Sequence, residues 1–386
     1  MYFITINDDC YTKIKRRDMM KKFLVVLLTV VMVTFMFVGC GKSKESNTIY
    51  VMGPTPDHGW TAQAGTYAEA KVEEIKTAGV YNAVYLPASS GEEQVDQVQT
   101  ILANGDAVGV VFFALEDSAK AGQEALIEKK VPFISFDRII EGPDKSAILN
   151  ASGDNWQSGA AIAYWLQQKG MVPGDVLLTL FGDNGTVCTR RQEGFEQFLM
   201  GEIEYFDDHT DQTYKTDKAW TRAEVDELIA TYKNVCNWSA DGAYGYLEQK
   251  LGDIVSDASE RGSLYVFSMD DEMTFGFLNL LEANAVDDAT KKALADMDVY
   301  VSAIGGMAEL YQVIDGSSSQ SATADMYFDD LMSVYFSPKM MTNVIGYMLD
   351  YLNGDWSYKV GDGKYETVWI VDKGNVSQYE GFSGHK

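Results

Sequence analysis

The stretch VGVVFFALEDSAKAGQEALIEKKVPFISFDR, Val108 to Arg138, decides how this chain is read. Val108–Ala114 is a continuous apolar run, Ser118–Lys129 carries helical spacing, and Pro132–Phe136 is apolar again. Short runs without polar interruption suit strands buried on both faces, and a helix between two of them is the crossover that a parallel sheet needs. The same alternation extends upstream, with strands at Thr48–Met52 and Asn82–Leu86 and helices at Gln63–Ala78 and Glu92–Asn104.

Downstream the pattern restarts. Helices are expected at Ser158–Lys169, Arg191–Met200, Val225–Asn234 and Glu272–Ala283, and strands at Asp175–Phe181, Glu202–Asp207, Leu264–Ser268 and Asp298–Ile304. Leu331–Asn353 reads as one long helix and Thr367–Val371 as a last strand. Two successive doubly wound units predict an α/β protein of two parallel-sheet lobes, and a chain of 386 residues exceeds what one hydrophobic core usually serves.

The N-terminus is set aside from this fold. Lys21-Lys22 precedes an apolar run, Phe23 to Val38, that stops at Gly39-Cys40. That run is shorter than the roughly 20 residues of a membrane span, so it reads as a secretion signal over residues 1–39. Met1–Asp18 reads as an upstream start, because Met19 or Met20 followed by two lysines opens an ordinary signal. Gly39 before Cys40 resembles a lipobox, with Phe37 bulkier than the usual aliphatic residue. Cys40 is then the lipidated residue, and residues 40–47 are a polar tether between lipid and domain. The remaining chain divides into an N-terminal lobe of residues 48–150 and 326–353 and a C-terminal lobe of residues 151–325 and 354–386, with crossings near Asn150–Ser152, Gly305 and Asp325.

A formal net charge of −26 repels nucleic acid and anionic lipid. Past the leader only Cys188 and Cys236 remain, too few for a disulfide framework. The three histidines, His58, His209 and His385, have no metal-ligand spacing and no Cys-x-x-Cys beside them. Neither a metal nor a cofactor is expected.

Open parallel sheets bind ligands beyond the carboxyl ends of their strands, so the residues there carry the functional weight. They are Asp57, His58 and Trp60 after the first strand, Asp137 and Arg138 after FISF, Asp154 and Asn155 after ILNASG, Arg190 and Arg191 in TRRQEGF, and Asp270 and Asp271 after LYVFSM. The Asp57-His58 pair alone admits a metal site, an acid–base couple or a polar grip beside the Trp60 indole. Carboxylates, guanidinium groups and indoles together suit a polyhydroxylated ring. A carboxylate accepts from neighbouring hydroxyls, Arg donates a rigid fork, and an indole covers the apolar face. Helix capping competes for Asp117 and Asp271, each of which opens a helix. Asp137-Arg138 has no helix directly after it, and a surface ion pair there would be worth little.

The ordered set PDHGWTAQAG, ISFDR, SGDNWQSGAAIA, TRRQEGF, WTRAEVDEL and VFSMDDEMTFGFLNLLEA resembles the type I periplasmic sugar-binding proteins of ABC importers over about residues 48–355. The resemblance implies a sugar held by Asp57, His58, Trp60, Asp137, Arg138 and Arg191, with Arg190 a rival of Arg191, Trp220 as the stacking aromatic of the second lobe, and Asp270 as the polar residue of an N-D-E-M-like motif. Trp156 and Trp165 are packing residues on this reading. Two positions depart from the family pattern: Gly305 stands where an Asp is usual, and Asp325-Met326 where a late glutamine is usual.

The expected function is that of a lipid-anchored, extracytoplasmic and monomeric solute-binding protein. It captures a sugar between two lobes and delivers it to an ABC permease. The alternative is a sugar-sensing subunit for a chemoreceptor or histidine kinase. Paired acids such as Asp137 and Asp270 are also the groups that glycoside chemistry uses, but no nucleophile motif or phosphate loop accompanies them, and no enzymatic activity is expected.

Overall fold

The structure, a computed structural model, describes residues 47–55, 59–283 and 285–383. The leader, the lipobox Cys40, most of the tether, Asp57 and His58 lie outside the described residues. Among the described residues no helix is long and apolar enough to cross a membrane.

The first half of the chain runs β1 (Thr48–Pro54), α1 (Gly59–Ala78), β2 (Asn82–Ala88), α2 (Gly91–Asn104), β3 (Ala107–Phe113), α3 (Lys120–Lys129), β4 (Phe133–Phe136) and β5 (Leu149–Gly153). It continues with α4 (Asn155–Gln168), β6 (Val176–Phe181), α5 (Thr186–Leu199), β7 (Tyr205–Asp207), β8 (Gln212–Tyr214), α6 (Arg222–Ala230), β9 (Tyr232–Val235) and α7 (Ala240–Ser259). The last part holds β10 (Ser263–Ser268), α8 (Asp271–Glu282), α9 (Asp288–Ala295), β11 (Asp298–Gly305), α10 (Ala308–Asp315), α11 (Ser321–Tyr327), β12 (Asp330–Tyr335), α12 (Met340–Asn353), β13 (Gly363–Glu366) and β14 (Ile370–Val371).

These strands form two six-stranded sheets in the orders β13-β5-β4-β3-β1-β2 and β14-β12-β11-β10-β6-β9. All pairings are parallel except that of β14 with β12. The central strands are apolar because both faces are covered: Val110, Val111 and Phe112 in β3, and Val299, Val301 and Ile304 in β11, are fully buried. The expected doubly wound α/β class holds.

Several elements differ from the expectation. Leu331–Asn353 is not one helix, since its first residues form β12 and Pro338 separates that strand from α12. Leu331-Met332-Ser333-Val334-Tyr335 is a buried-strand run, and helical periodicity read across a proline joined it to the helix. Val225–Asn234 contains the end of α6 and most of β9, and the long helix α7 was not foreseen. Glu202–Asp207 supplies only a short strand, paired with β8 in an antiparallel hairpin outside both main sheets.

The lobe boundaries shift accordingly. Residues 330–335 belong to the second sheet and residues 363–366 to the first, the reverse of the expected assignment. The chain passes between sheets at Asp154, again between β12 and α12, which packs on α1, β3 and β4, and again between β13 and β14. Gly305 and Asp325 therefore lie inside the second lobe and not at crossings.

Candidate functional site

The carboxyl ends of β1, β2, β3 and β4 face those of β9, β10 and β11 across a cleft of about 350 Å³. Trp60, Phe113, Asp137 and Arg138 line it from the first lobe, Arg191, Trp238, Asp270 and Glu272 from the second, and Phe336 from the crossing after β12.

The turn after β4 sets the polar end. Asp137 adopts φ 60°, a left-handed conformation uncommon for a residue with a side chain. Its N–H donates to the Ala151 carbonyl at 2.9 Å, which ties the turn to β5. Among the described residues no hydrogen bond reaches its carboxylate. Burial pushes that carboxyl above the usual carboxylate range, while the Arg191 and Arg138 guanidinium groups pull it back. Backbone strain that presents an unsatisfied acceptor to a cleft is a recurrent feature of functional turns.

Two buried arginines answer these acids. Arg138 donates from Nη2 to Asp183 Oδ2 at 2.6 Å and lies 3.6 Å from Asp117, while its Nε is buried without a partner among the described residues. Arg191, on α5, donates from Nε to Asn155 Oδ1 at 2.9 Å and from Nη1 to the Met269 carbonyl. Its guanidinium carbon is 5.0 Å from the Phe336 ring centre and 5.6 Å from that of Trp238. The close approach of α4 and α5 makes this reach possible: a Cβ at Gly159 would stand 1.9 Å from the Arg191 carbonyl oxygen.

The aromatic walls differ between lobes. Trp60 donates from Nε1 to the Phe336 carbonyl at 2.6 Å, and its ring lies 5.9 Å edge-on from Phe113 and 6.3 Å from Phe136. Its polar edge is thus engaged and three phenylalanine rings pack around the indole, which still contributes to the cleft lining. On the opposite side Asn237 and Trp238 follow β9 with φ 54° and 55°, two consecutive left-handed residues. The Trp238 indole rests on Gly182, where a Cβ would stand 2.0 Å from the ring.

Asp270 caps α8 by accepting from the Glu272 N–H at 2.9 Å. Burial pushes its carboxyl well above the usual range, and the neighbouring Asp271 adds to the effect. Asp271 is buried and accepts from the N–H groups of Gly306 at 2.7 Å and Met307 at 2.8 Å and from Ser333 Oγ at 2.7 Å. Burial pushes its carboxyl up to about 6 despite those donors. A Cβ at Gly305 would come within 2.6 Å of Asp271 Oδ2. The family departure at Gly305 therefore has a physical reason: the acid that opens α8 occupies that space.

Three of the sequence-derived site residues lie away from the cleft lining. Asp154 is an N-cap, accepting from the Gln157 N–H at 3.0 Å. Arg190 stacks 4.7 Å over Trp156 and donates to the Ile139 carbonyl at 3.4 Å. Trp220 is buried in the core of the second lobe, its N–H donating to the Leu199 carbonyl at 2.9 Å. Trp60, Asp137, Arg138, Arg191 and Asp270 do line the cleft, as do Thr55 and Gly59, which flank Asp57 and His58 in sequence. Sequence reasoning missed Trp238, Glu272, Phe113 and Phe336. Cys188 and Cys236 are free, buried thiols, and burial pushes Cys188 up to about 11. Among the described residues no cluster of three His, Cys, Asp or Glu side chains could hold a metal ion.

Two parallel-sheet lobes with a charged and aromatic cleft at their strand ends define a bilobal binding protein. Residues 49–354 match the periplasmic binding protein domain, and the chain belongs to that family. A search of curated proteins finds no match. Among solved structures, the fold is similar to the binding component of the arabinose ABC transporter from Shewanella sp. ANA-3, at 15% identity, TM-score 0.61, and coverage of 86% of this chain and 93% of that one. It is similar to a galactofuranose binding protein at 14% identity, TM-score 0.63, covering 86% and 96%. It is also similar to the myo-inositol binding protein of Caulobacter at 16% identity, TM-score 0.62, covering 89% and 98%.

Proposed function

We propose that this chain is an extracytoplasmic solute-binding protein that captures a small sugar or cyclic polyol between its two lobes and hands it to an ABC permease. The observation that carries the reading is that the Asp137 carboxylate and the Arg191 guanidinium line one cleft together with indoles from opposite lobes. That arrangement supplies acceptors and donors for hydroxyls and apolar faces for C–H groups. The cleft volume of about 350 Å³ is the size of a small-molecule site. Solved structures of similar fold are named for arabinofuranose, galactofuranose and myo-inositol.

In this reading no bond of the ligand is broken. Asp137 and Asp270 hold hydroxyls, and the hinge segments let the ligand favour the shut state. Lipid on Cys40 and the polar stretch after it hold the protein at the outer membrane face. A thermal-shift screen with L-arabinose, D-galactose, myo-inositol and common disaccharides tests the reading, because a solute that binds only the native state raises Tm. At least one of these is expected to raise it and to be recovered chemically unchanged. No shift with any sugar or polyol, or hydrolysis of a disaccharide, would overturn the proposal.

A further inference from the structure

The ion pair between Arg138 and Asp183 joins the lobes. Arg138 follows β4 of the first sheet and Asp183 follows β6 of the second. The contact is 2.6 Å long, with side-chain exposures of 6% and 29%, so it is far better sheltered than a surface pair. Asp183 is fixed from its own side, since its Oδ1 accepts from the Gly185 N–H at 2.7 Å. Burial works to raise its carboxyl, yet Arg138 and that N–H together hold it below the usual range. Gly185 makes room for the contact: a Cβ there would lie 1.8 Å from Arg138 Nη1.

Arg138 has a second acid within reach. Asp117, in the loop after β3 of its own lobe, is 3.6 Å from Nη1 and half exposed. One guanidinium thus stands between an acid that travels with it and an acid that arrives only when the lobes meet. We infer that Asp183 is a closure latch, taking Arg138 over from Asp117 as the cleft shuts. This gives Asp183 a positioning role: it sets Arg138 beside Asp137 and adds to the stability of the shut form. The inference rests on the lobe closure of the proposed function, but on no particular ligand.

The two acids act in opposite directions, which makes the latch testable without any sugar. Solution scattering of the ligand-free chain compares wild type with Asp183→Asn, Asp117→Asn and Gly185→Ala. Asp183→Asn is expected to shift the open-to-closed ratio about tenfold toward open, as truncation of one partner of a sheltered pair does, and the radius of gyration rises. Gly185→Ala moves it the same way by displacing Arg138, and serves if Asp183→Asn fails to fold. Asp117→Asn leaves the protein as compact as wild type or more so. About 1 M salt, which shortens electrostatic reach to about 3 Å, moves wild type toward the Asp183→Asn value. A radius of gyration in both Asp183→Asn and Gly185→Ala equal to that of wild type, or opening by Asp117→Asn as large as by Asp183→Asn, overturns the latch. Neither result touches the sugar screen, and an empty screen leaves the scattering contrast standing.

Discussion

The turns after β4 and β9 face each other across the cleft, and both hold side-chain-bearing residues in left-handed conformations. In the first, Asp137 presents a carboxylate between two guanidinium groups. In the second, Asn237 and Trp238 present an amide and an indole. One turn concentrates charge and the other supplies a flat apolar face, although each lobe also gives the cleft the other kind of group, Trp60 from the first and Arg191 and Asp270 from the second. The contrast teaches that strain alone marks both sites, whereas composition marks only the charged one.

Arg191→Ala would disturb this contrast most, because Arg191 serves both sides: it lies near the Trp238 ring and offsets Asp137 and Asp270. Removing it leaves buried carboxylates uncompensated, and a stability loss of about 3–5 kcal/mol is expected in chemical denaturation. Trp238→Ala tests the stacking side alone. A loss of about 1–3 kcal/mol in calorimetric affinity for the best sugar from the screen is expected, with little change in Tm. Trp220→Ala should instead lower Tm, because that indole fills the core of the second lobe. A smaller effect separates capping from binding: Asp154→Ala is expected to cost about 1 kcal/mol of stability through the lost N-cap and to leave sugar affinity unchanged.

The charged side also has a pH signature. Asp270 has its carboxyl raised in the folded state, so the folded chain holds this proton more tightly than the unfolded one. Its favourable contribution is present below about pH 4 and is lost as pH rises through the folded value. Asp270→Asn removes that loss. The Tm difference between variant and wild type is expected to grow in the variant's favour as pH rises from about 4 toward neutrality. A flat difference would show that Asp270 is not held protonated by its surroundings.

The charged turn was legible because an acid–base pair stood after an apolar strand with no helix to cap. Asn237-Trp238 was hidden because Tyr232–Val235 is a short, half-polar edge strand that periodicity joined to the preceding helix. Trp220 was preferred on its place in a family motif, but the fold turns it inward, and Trp238, 18 positions on, lines the cleft instead. Arg190 and Arg191 are adjacent, and only the close packing of α4 on α5 decides which one enters the cleft. The alternation of strands and helices gave the sheets, since it is set by local burial. The crossings after β12 and β13 depend on tertiary packing, which no local pattern encodes.

In the proposed function Asp137 holds the ligand. Calorimetric titration of Asp137→Ala with the sugar giving the largest thermal shift tests it most directly. Loss of the acceptor inside a sheltered cleft predicts an affinity lower by about 2–3 kcal/mol, or roughly 30- to 150-fold in Kd. Affinity within about 1 kcal/mol of wild type, the range of an exposed ion pair, would contradict it.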